Sequence, residues 1–453
     1  MRVTFINPPF VRSEHSSPEN NFSFEGILPE QPYWNDANFR AFVTQYNREF
    51  KVRFGVRAGS RWPWSIESPL GASPNFPFFM SYAAANAIKS GHQVALLDAM
   101  AIVEFSYARF LELVRKTEPE IVVIETSTPT IDIDMWFAEK VSHFAEVCLA
   151  GPHVTYVEDI LEKYPFVKYV LKGEYAKNCL TMLEKRERRV YDYDYIRDWD
   201  ELPFAFRDFP GGTNYYDGGS MIQPVPELQM YASKGCPFHC IYCMWPQVMY
   251  GGVHTPREPK QVATEIRENL EKFPYRSIFF DDDTFNIGNE RISELCDELA
   301  KIGLPWSMMG RIDTSPEWLF DKMVDCGCMG MRLGVETFDK TVSKNIKKGL
   351  RSENIYRTLK YITNKHPNLR IHLTMMKNLP GQTEQIHQRD MEILKELGYD
   401  MYSRDRNYQL ASVAPFPGTE LYRQLKEKGV ANLDDWSRYD GFGQETFDLG
   451  EMQ

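Results

Sequence analysis

The stretch Gly235-Cys236-Pro237-Phe238-His239-Cys240-Ile241-Tyr242-Cys243-Met244-Trp245 carries three cysteines at Cys-x3-Cys-x2-Cys spacing. Thiolates gathered this closely are soft ligands, suited to zinc or to an iron–sulfur cluster. A structural zinc site wants a fourth Cys or His and a closed tetrahedron. His239 is the local candidate, but it lies between two of the cysteines, where it would point away from a shared metal. A [4Fe–4S] cluster held by three cysteines leaves one iron open to a substrate or cofactor. The bland alternative is a small zinc-binding module without catalysis.

Further polar residues stand where strands are expected to end. In the first part of the chain, short apolar strands at 3–7, 93–98, 120–125, 147–150 and 167–171 alternate with helices at 79–88, 105–116 and 131–145. That alternation predicts an α/β, Rossmann-like, doubly wound parallel sheet over residues 1–180. Ligands of such sheets bind beyond the carboxyl ends of the strands. Those ends carry Asn7, Pro8, Thr126, Ser127, Thr128, Gly151, Pro152, His153, Gly173 and Glu174. An insertion at about 10–76 holds Trp34, Phe39, Phe42, Tyr46, Phe50, Phe54, Trp62 and Trp64. Its aromatics either cover the domain or line a pocket. Residues 181–225, mixing Pro, Gly and aromatics, read as a linker.

The cysteine loop follows a strand at 228–233, and five more strand–helix units follow it. They predict a partial (β/α)6 TIM barrel over 226–430, with a tail at 431–453. Barrel chemistry sits at the carboxyl ends of the strands. Here those ends carry Asp282, Asp283, Arg311, Glu336 and Thr383.

The cysteine spacing resembles the signature of the radical S-adenosylmethionine (SAM) superfamily. One subgroup shows DDxF, GvE(S/T), lPGxT and PyPGT in order, and Asp282–Phe285, Gly334–Thr337, Leu379–Thr383 and Pro415–Thr419 match them. In the first domain, "NPP", "GHQVALLDA", "AGPHV" and "LKGE" resemble the cobalamin-binding domain that precedes many radical SAM domains. The resemblance implies that Cys236, Cys240 and Cys243 hold the cluster and that Tyr242 neighbours the adenine of SAM. A zwitterion such as SAM needs acceptors for its ammonium and ribose hydroxyls and donors for its carboxylate. Asp282, Asp283, Glu336, Thr383 and Arg311 would supply them, and the strand-end residues of the first domain would bind cobalamin. The Asp-x-His-x-x-Gly motif that supplies a cobalt ligand elsewhere is absent, so no lower ligand is assigned, and His153 is expected near the nucleotide tail.

The implied activity is a cobalamin-dependent radical SAM methyltransferase, acting on an unactivated carbon of a small natural-product or lipid molecule. Ring formation, ring contraction or another carbon–carbon rearrangement is the alternative. An electron donor such as a flavodoxin or ferredoxin is the implied partner.

A length of 453 residues suits two domains, and a net charge of −11 argues against nucleic acid as the main partner. No apolar run long enough for a membrane span appears. The start reads as a strand and turn rather than a signal peptide. Eight cysteines, three of them clustered, suggest a reducing cytoplasm rather than a disulfide framework. Cys148, Cys179, Cys296, Cys326 and Cys328 are expected as small buried apolar residues.

Overall fold

A computed structural model describes residues 1–9, 75–102, 104, 106–217 and 224–439, and the strand backbones Val11–Ser13, Val52–Arg57 and Ser65–Glu67. The aromatic residues Trp34, Phe39, Phe42, Tyr46, Phe50, Trp62 and Trp64, and the end of the chain from residue 440, lie outside the described residues.

The first domain is built on β1 (Arg2–Asn7), β2 (Gln93–Asp98), β3 (Ile121–Glu125), β4 (Glu146–Ala150), β5 (Val167–Leu171) and β6 (Arg189–Tyr191). Every pairing is parallel and the order is β2-β1-β3-β4-β5-β6. Helices on both faces bury the strands, so β3 is apolar almost throughout (Ile-Val-Val-Ile-Glu) and wholly buried. The order reverses at β1, which places the crevice of a doubly wound sheet between the carboxyl ends of β1 and β3.

The sheet reaches into the stretch expected to be a linker. The helix Ala176–Lys185 runs past residue 180, and β6 pairs with β5 beyond it. Three residues joined to an edge leave no periodicity to read, and β6 is too short to bury a face of its own. The remainder of the linker packs on the first sheet: Tyr215 Oη donates to Asp98 Oδ2 at 2.8 Å, and Asn214 Nδ2 donates to Ala101 O at 2.8 Å.

The second domain holds β7 (Glu227–Met230), β8 (Ser277–Phe280), β9 (Trp306–Arg311), β10 (Cys328–Glu336), β11 (Arg370–Lys377) and β12 (Arg406–Ser412). They lie side by side in chain order, all parallel. Amphipathic helices such as Pro259–Lys272 and Asn289–Ile302 pack outside them. This is the expected six-stranded partial barrel, and its carboxyl ends gather on one rim.

One continuous apolar core joins the two domains. It runs from Val3 and Phe5 through Phe79 and Tyr175 to Ile241, Trp245 and Val248, then on to Leu421, Tyr422 and Tyr439. A second core fills the space between the barrel strands and their helices, around Phe280, Trp306, Leu333 and Leu373. Among the described residues, no helix is long and apolar enough to cross a membrane.

Candidate active site

The cysteine loop is clamped at its base and tied at its crown. Ser233 and Lys234 pair antiparallel with Pro256 and Thr255, so the loop leaves and returns through one short ribbon. Gly235 sits at φ +75°, and a Cβ there would lie 1.9 Å from the carbonyl oxygen of Val253, so only glycine fits. Its N–H donates to Asp283 Oδ2 at 2.7 Å. Gln247, on the turn after the last cysteine, donates from Nε2 to the carbonyls of Cys240 (3.0 Å), Ile241 (3.2 Å) and Cys243 (2.8 Å). Its Oε1 accepts from Glu420 N at 2.7 Å, which fastens the loop to the start of the helix Glu420–Glu427.

Cys236, Cys240, Cys243 and Tyr242 line one cavity with Asp283, Arg311 and Glu336, at the carboxyl ends of the barrel strands. The cavity encloses about 210 Å³ and opens to solvent at the rim. Burial raises all three thiols above their ordinary range, and Cys240 and Cys236 push Cys243 further the same way. Buried thiols crowded together in this way become ligands only when a metal takes their protons' place. Among the described residues, no three His, Cys, Asp or Glu side chains are gathered about a single ion. Three soft thiols lining one cavity suit an iron–sulfur cluster.

The charged residues of the rim are held in place before any ligand arrives. Arg311 forks onto Asp313, Nε to Oδ1 and Nη2 to Oδ2, both at 2.9 Å, and Nη2 also reaches the carbonyl of Lys348 at 3.0 Å. Its guanidinium lies 3.8 Å from the ring centre of Phe238, inside the cysteine loop. Glu336 ends β10 at φ +64°, where the ladder to β11 slips register. It pairs with Lys348 Nζ at 2.7 Å and accepts from Thr374 Oγ1 at 3.2 Å. Tyr242 is raised well above the ordinary phenol range by burial, with the Glu336 charge adding to the effect, so it stays neutral.

Two expected SAM contacts lie elsewhere. Asp282 turns under the loop, accepting from Ala232 N at 2.9 Å and Ser233 Oγ at 2.5 Å. Successive residues leaving a strand face opposite ways, so Asp283 can line the cavity while Asp282 cannot. Thr383 is exposed and caps the helix Glu384–Glu396, accepting from Ile386 N at 3.3 Å. A threonine just before a helix is placed there by its capping bond.

The residues assigned to the first domain's ligand are buried, and most of them already bond to protein partners. Asn7 donates to Asp98, Thr126 Oγ1 donates to Ala150 O at 2.8 Å, and Ser127 and Thr130 share Asp134. Pro8 is buried behind β1, and Gly173 N donates to Thr155 Oγ1 at 3.0 Å. Gly151, at φ +102°, would place a Cβ 2.3 Å from Thr126 O, so bare backbone walls the crevice there, and Pro152 opens the short helix that follows. His153 lies 3.4 Å from Thr128 Oγ1, and burial pushes it down to about 3, so its imidazole is neutral. Trp436 stands edge-on to it, 5.1 Å between ring centres, and closes this end of the crevice. Glu174 is turned away from that crevice: it accepts from Ile196 N at 2.7 Å and forms a buried ion pair with Lys234, at the base of the cysteine loop.

Three site residues carry no motif that the sequence reading used. Lys348 comes from a turn after a short helix, Gln247 from the turn after the cysteines, and Arg332 from mid-strand. Arg332 had a usable signal: Arg332, Gly334 and Glu336 alternate along an otherwise apolar strand, so one face of β10 is polar although the strand is internal.

Residues 230–402 match the profile of the radical SAM superfamily. An uncharacterized methyltransferase of Pyrococcus horikoshii is 23% identical over 389 residues, covering 80% of this chain and 81% of the relative. The anaerobic magnesium-protoporphyrin IX monomethyl ester cyclase of Cereibacter sphaeroides is 21% identical over 408 residues, covering 80% of this chain and 62% of the relative. Among solved structures, the radical SAM methyltransferase TsrM of Kitasatospora setae, with cobalamin and a [4Fe–4S] cluster bound, superposes with a TM-score of 0.61 at 15% identity, covering 78% of this chain and 72% of TsrM. Its two domains and this chain's share one fold. The barrel that carries the cysteine loop thus matches a radical SAM domain, and with the Rossmann-like domain before it the chain shares the two-domain fold of TsrM.

Proposed function

We propose that this protein methylates an unactivated carbon of a small molecule, using a [4Fe–4S] cluster, SAM and cobalamin. The observation that carries the reading is the single cavity shared by three cysteine thiols, a neutral tyrosine and the prearranged groups Asp283, Arg311 and Glu336. The donor set fits its ligands: thiols for iron, and a fixed guanidinium and carboxylates for a zwitterion. At the first domain's crevice the neutral imidazole of His153 and the bare backbone at Gly151 stand at the switch point where such sheets take nucleotides.

When bound, the cluster supplies an electron to cleave SAM homolytically, and cobalamin supplies a methyl carrier. The rest falls to the chain's own residues. Arg311, locked by Asp313, binds a carboxylate at little entropic cost. Asp283 ties the loop base to the rim. The Glu336–Lys348 pair presents balanced charge rather than an isolated carboxylate, which avoids a buried unpaired ion. Met244, Trp245 and Phe416 make the wall apolar and exclude water from a reactive radical. A flavodoxin- or ferredoxin-type protein is the electron source, and the cytoplasm the place of action.

Ring closure is the second reading, favoured by the likeness to the cyclase over 80% of this chain. The deciding experiment purifies the protein without oxygen, measures iron, sulfide and cobalt, and supplies SAM labelled in its methyl group with a low-potential reductant. Label passing to cobalamin and onward to an acceptor supports methylation. Cleaved SAM with no label leaving methionine refutes it in favour of rearrangement, and absent iron and sulfide refute both.

A further inference from the structure

The cavity has a floor as well as a mouth. Arg332 and Glu336 both line it, four steps apart along the strand, so the floor lies about 13 Å below the rim. Gly334 between them carries no side chain. Barrel interiors are ordinarily filled with branched apolar residues, but the inward positions here include Arg332, His372 and Gln409.

The Arg332 charge at this floor is paired. Arg332 Nη2 contacts both oxygens of Asp217, at 2.7 and 2.6 Å, with the two side chains 11% and 5% exposed. Beside Asp217, Glu227 is pushed up to about 8 by burial and then by the Asp217 charge, so it is protonated at neutral pH. His372 is pushed down to about 4, by burial and then by Arg332, so it is neutral.

A neutral His372 fixes the hydrogen-bond directions. Its Nδ1 lies 2.5 Å from Asn407 Oδ1, and Asn407 donates through Nδ2 to Ser403 O at 2.9 Å. Asn407 is thereby oriented with its oxygen toward the ring, so Nδ1 carries the proton. Nε2 is then an acceptor, and the Gln409 amide 3.3 Å away must turn its NH2 to it. That turns the carbonyl of Gln409 away from His372, on the face of β12 that lines the cavity. Arg332 presents only donors. Met309, Met376 and Ala411 make the wall above apolar.

The geometry points to Arg332 and Gln409 as the subsite that receives one end of the reacting molecule: an uncharged group carrying an acceptor beside a donor, such as a carboxamide or lactam, on an apolar body. Arg332 donates to its carbonyl, Gln409 accepts from its N–H, and Asp217 fixes the guanidinium. A carboxylate there would meet the negative charge of Asp217, which already pairs with Arg332. This rests on the proposed function, because it assumes that the cavity above the floor is where the reaction occurs.

The test compares three probes of one shape, 3-phenylpropanamide, its methyl ester analogue and 3-phenylpropanoate, by saturation-transfer NMR on the anaerobic, cluster-loaded protein with SAM. The amide is expected to bind about tenfold more tightly than the ester, the worth of one added neutral hydrogen bond, with the carboxylate weakest. Gln409→Leu is expected to bring amide and ester together. Gln409→Met replaces it if the leucine variant fails to load its cluster. Equal binding of amide and ester in the unaltered protein, carboxylate binding as tight as the amide's, or no binding by any probe overturns the assignment. Iron, sulfide and SAM cleavage, measured on the same sample, report separately on the proposed reaction. A missing cluster with the amide preference intact would sink that reaction and leave the subsite standing.

Discussion

Lys234 and Glu174 form an ion pair at the junction of the two domains, one side chain 6% and the other 5% exposed. Glu174 follows β5 of the first sheet, and Lys234 lies in the ribbon that enters the cysteine loop. Burial pulls Lys234 well below the ordinary lysine range, and the Asp283 charge works against that pull. Two charges this deep lose much of their mutual attraction to desolvation. Removing one partner leaves the other buried and uncompensated, which costs about 3–5 kcal/mol. Lys234→Met and Glu174→Leu are each expected to cost that much. Glu174→Leu also forfeits the bond from Ile196 N, about 1 kcal/mol. The double variant has no stranded charge and should lose only about that last 1 kcal/mol, so the two changes are far from additive. Urea unfolding of the apo-protein under argon, followed by tryptophan emission, measures all four forms. Trp199 is a built-in reporter, its ring centre 5.5 Å from Lys234 Nζ. At a slope of about 3 kcal/mol per molar, each single change lowers the midpoint by about 1–2 M. Singles within 0.5 M of the unaltered protein, or a double variant as unstable as the sum of the singles, would refute this account.

Other perturbations follow from the same geometry. Glu227 is raised from 4.5 to about 8, so the native state holds a proton that the unfolded chain releases near 4.5, and stability falls as pH rises through that window. Glu227→Gln should flatten the decline in Tm between about pH 5 and 8, and parallel curves for the two proteins would count against it. Gly151→Ala drives a methyl against backbone 2.3 Å away at φ +102°, so a loss of about 2 kcal/mol or more is expected by urea titration, with weaker cobalamin retention on gel filtration. Gln247→Leu strands three carbonyls of the cysteine loop, so iron should pass to a chelator severalfold faster than from the unaltered protein while far-UV circular dichroism stays constant.

The two parallel sheets were legible because helices cover both faces of the first and the outer face of the second, which forces apolar runs of fixed length between breaks. The cysteine loop was legible because three thiols at short spacing have few other uses. Local pattern loses its force where tertiary partners decide. Asp282 and Asp283 are adjacent and identical in type, and only the turn under Ser233 separates structural from cavity-facing. Thr383 sits in a motif, yet its hydroxyl is taken by the helix it caps. Glu174 found a lysine sixty positions away, which no local pattern announces. His372, Asn407 and Gln409 become a donor–acceptor array only when β11 and β12 pair in register.

The continuous apolar core that runs from β1 to Tyr439 also decides how the protein comes apart. Two sheets with separate topologies ordinarily behave as separable units, but here the inner face of the first sheet shares its packing with the cysteine turn and the last helix. Neither half can open without exposing the other's apolar face, so the sheets melt together in one calorimetric transition. Proteolytic nicking between them yields no pair of independently folded fragments. The boundary at residues 192–226 is thus a feature of chain path rather than of cooperativity.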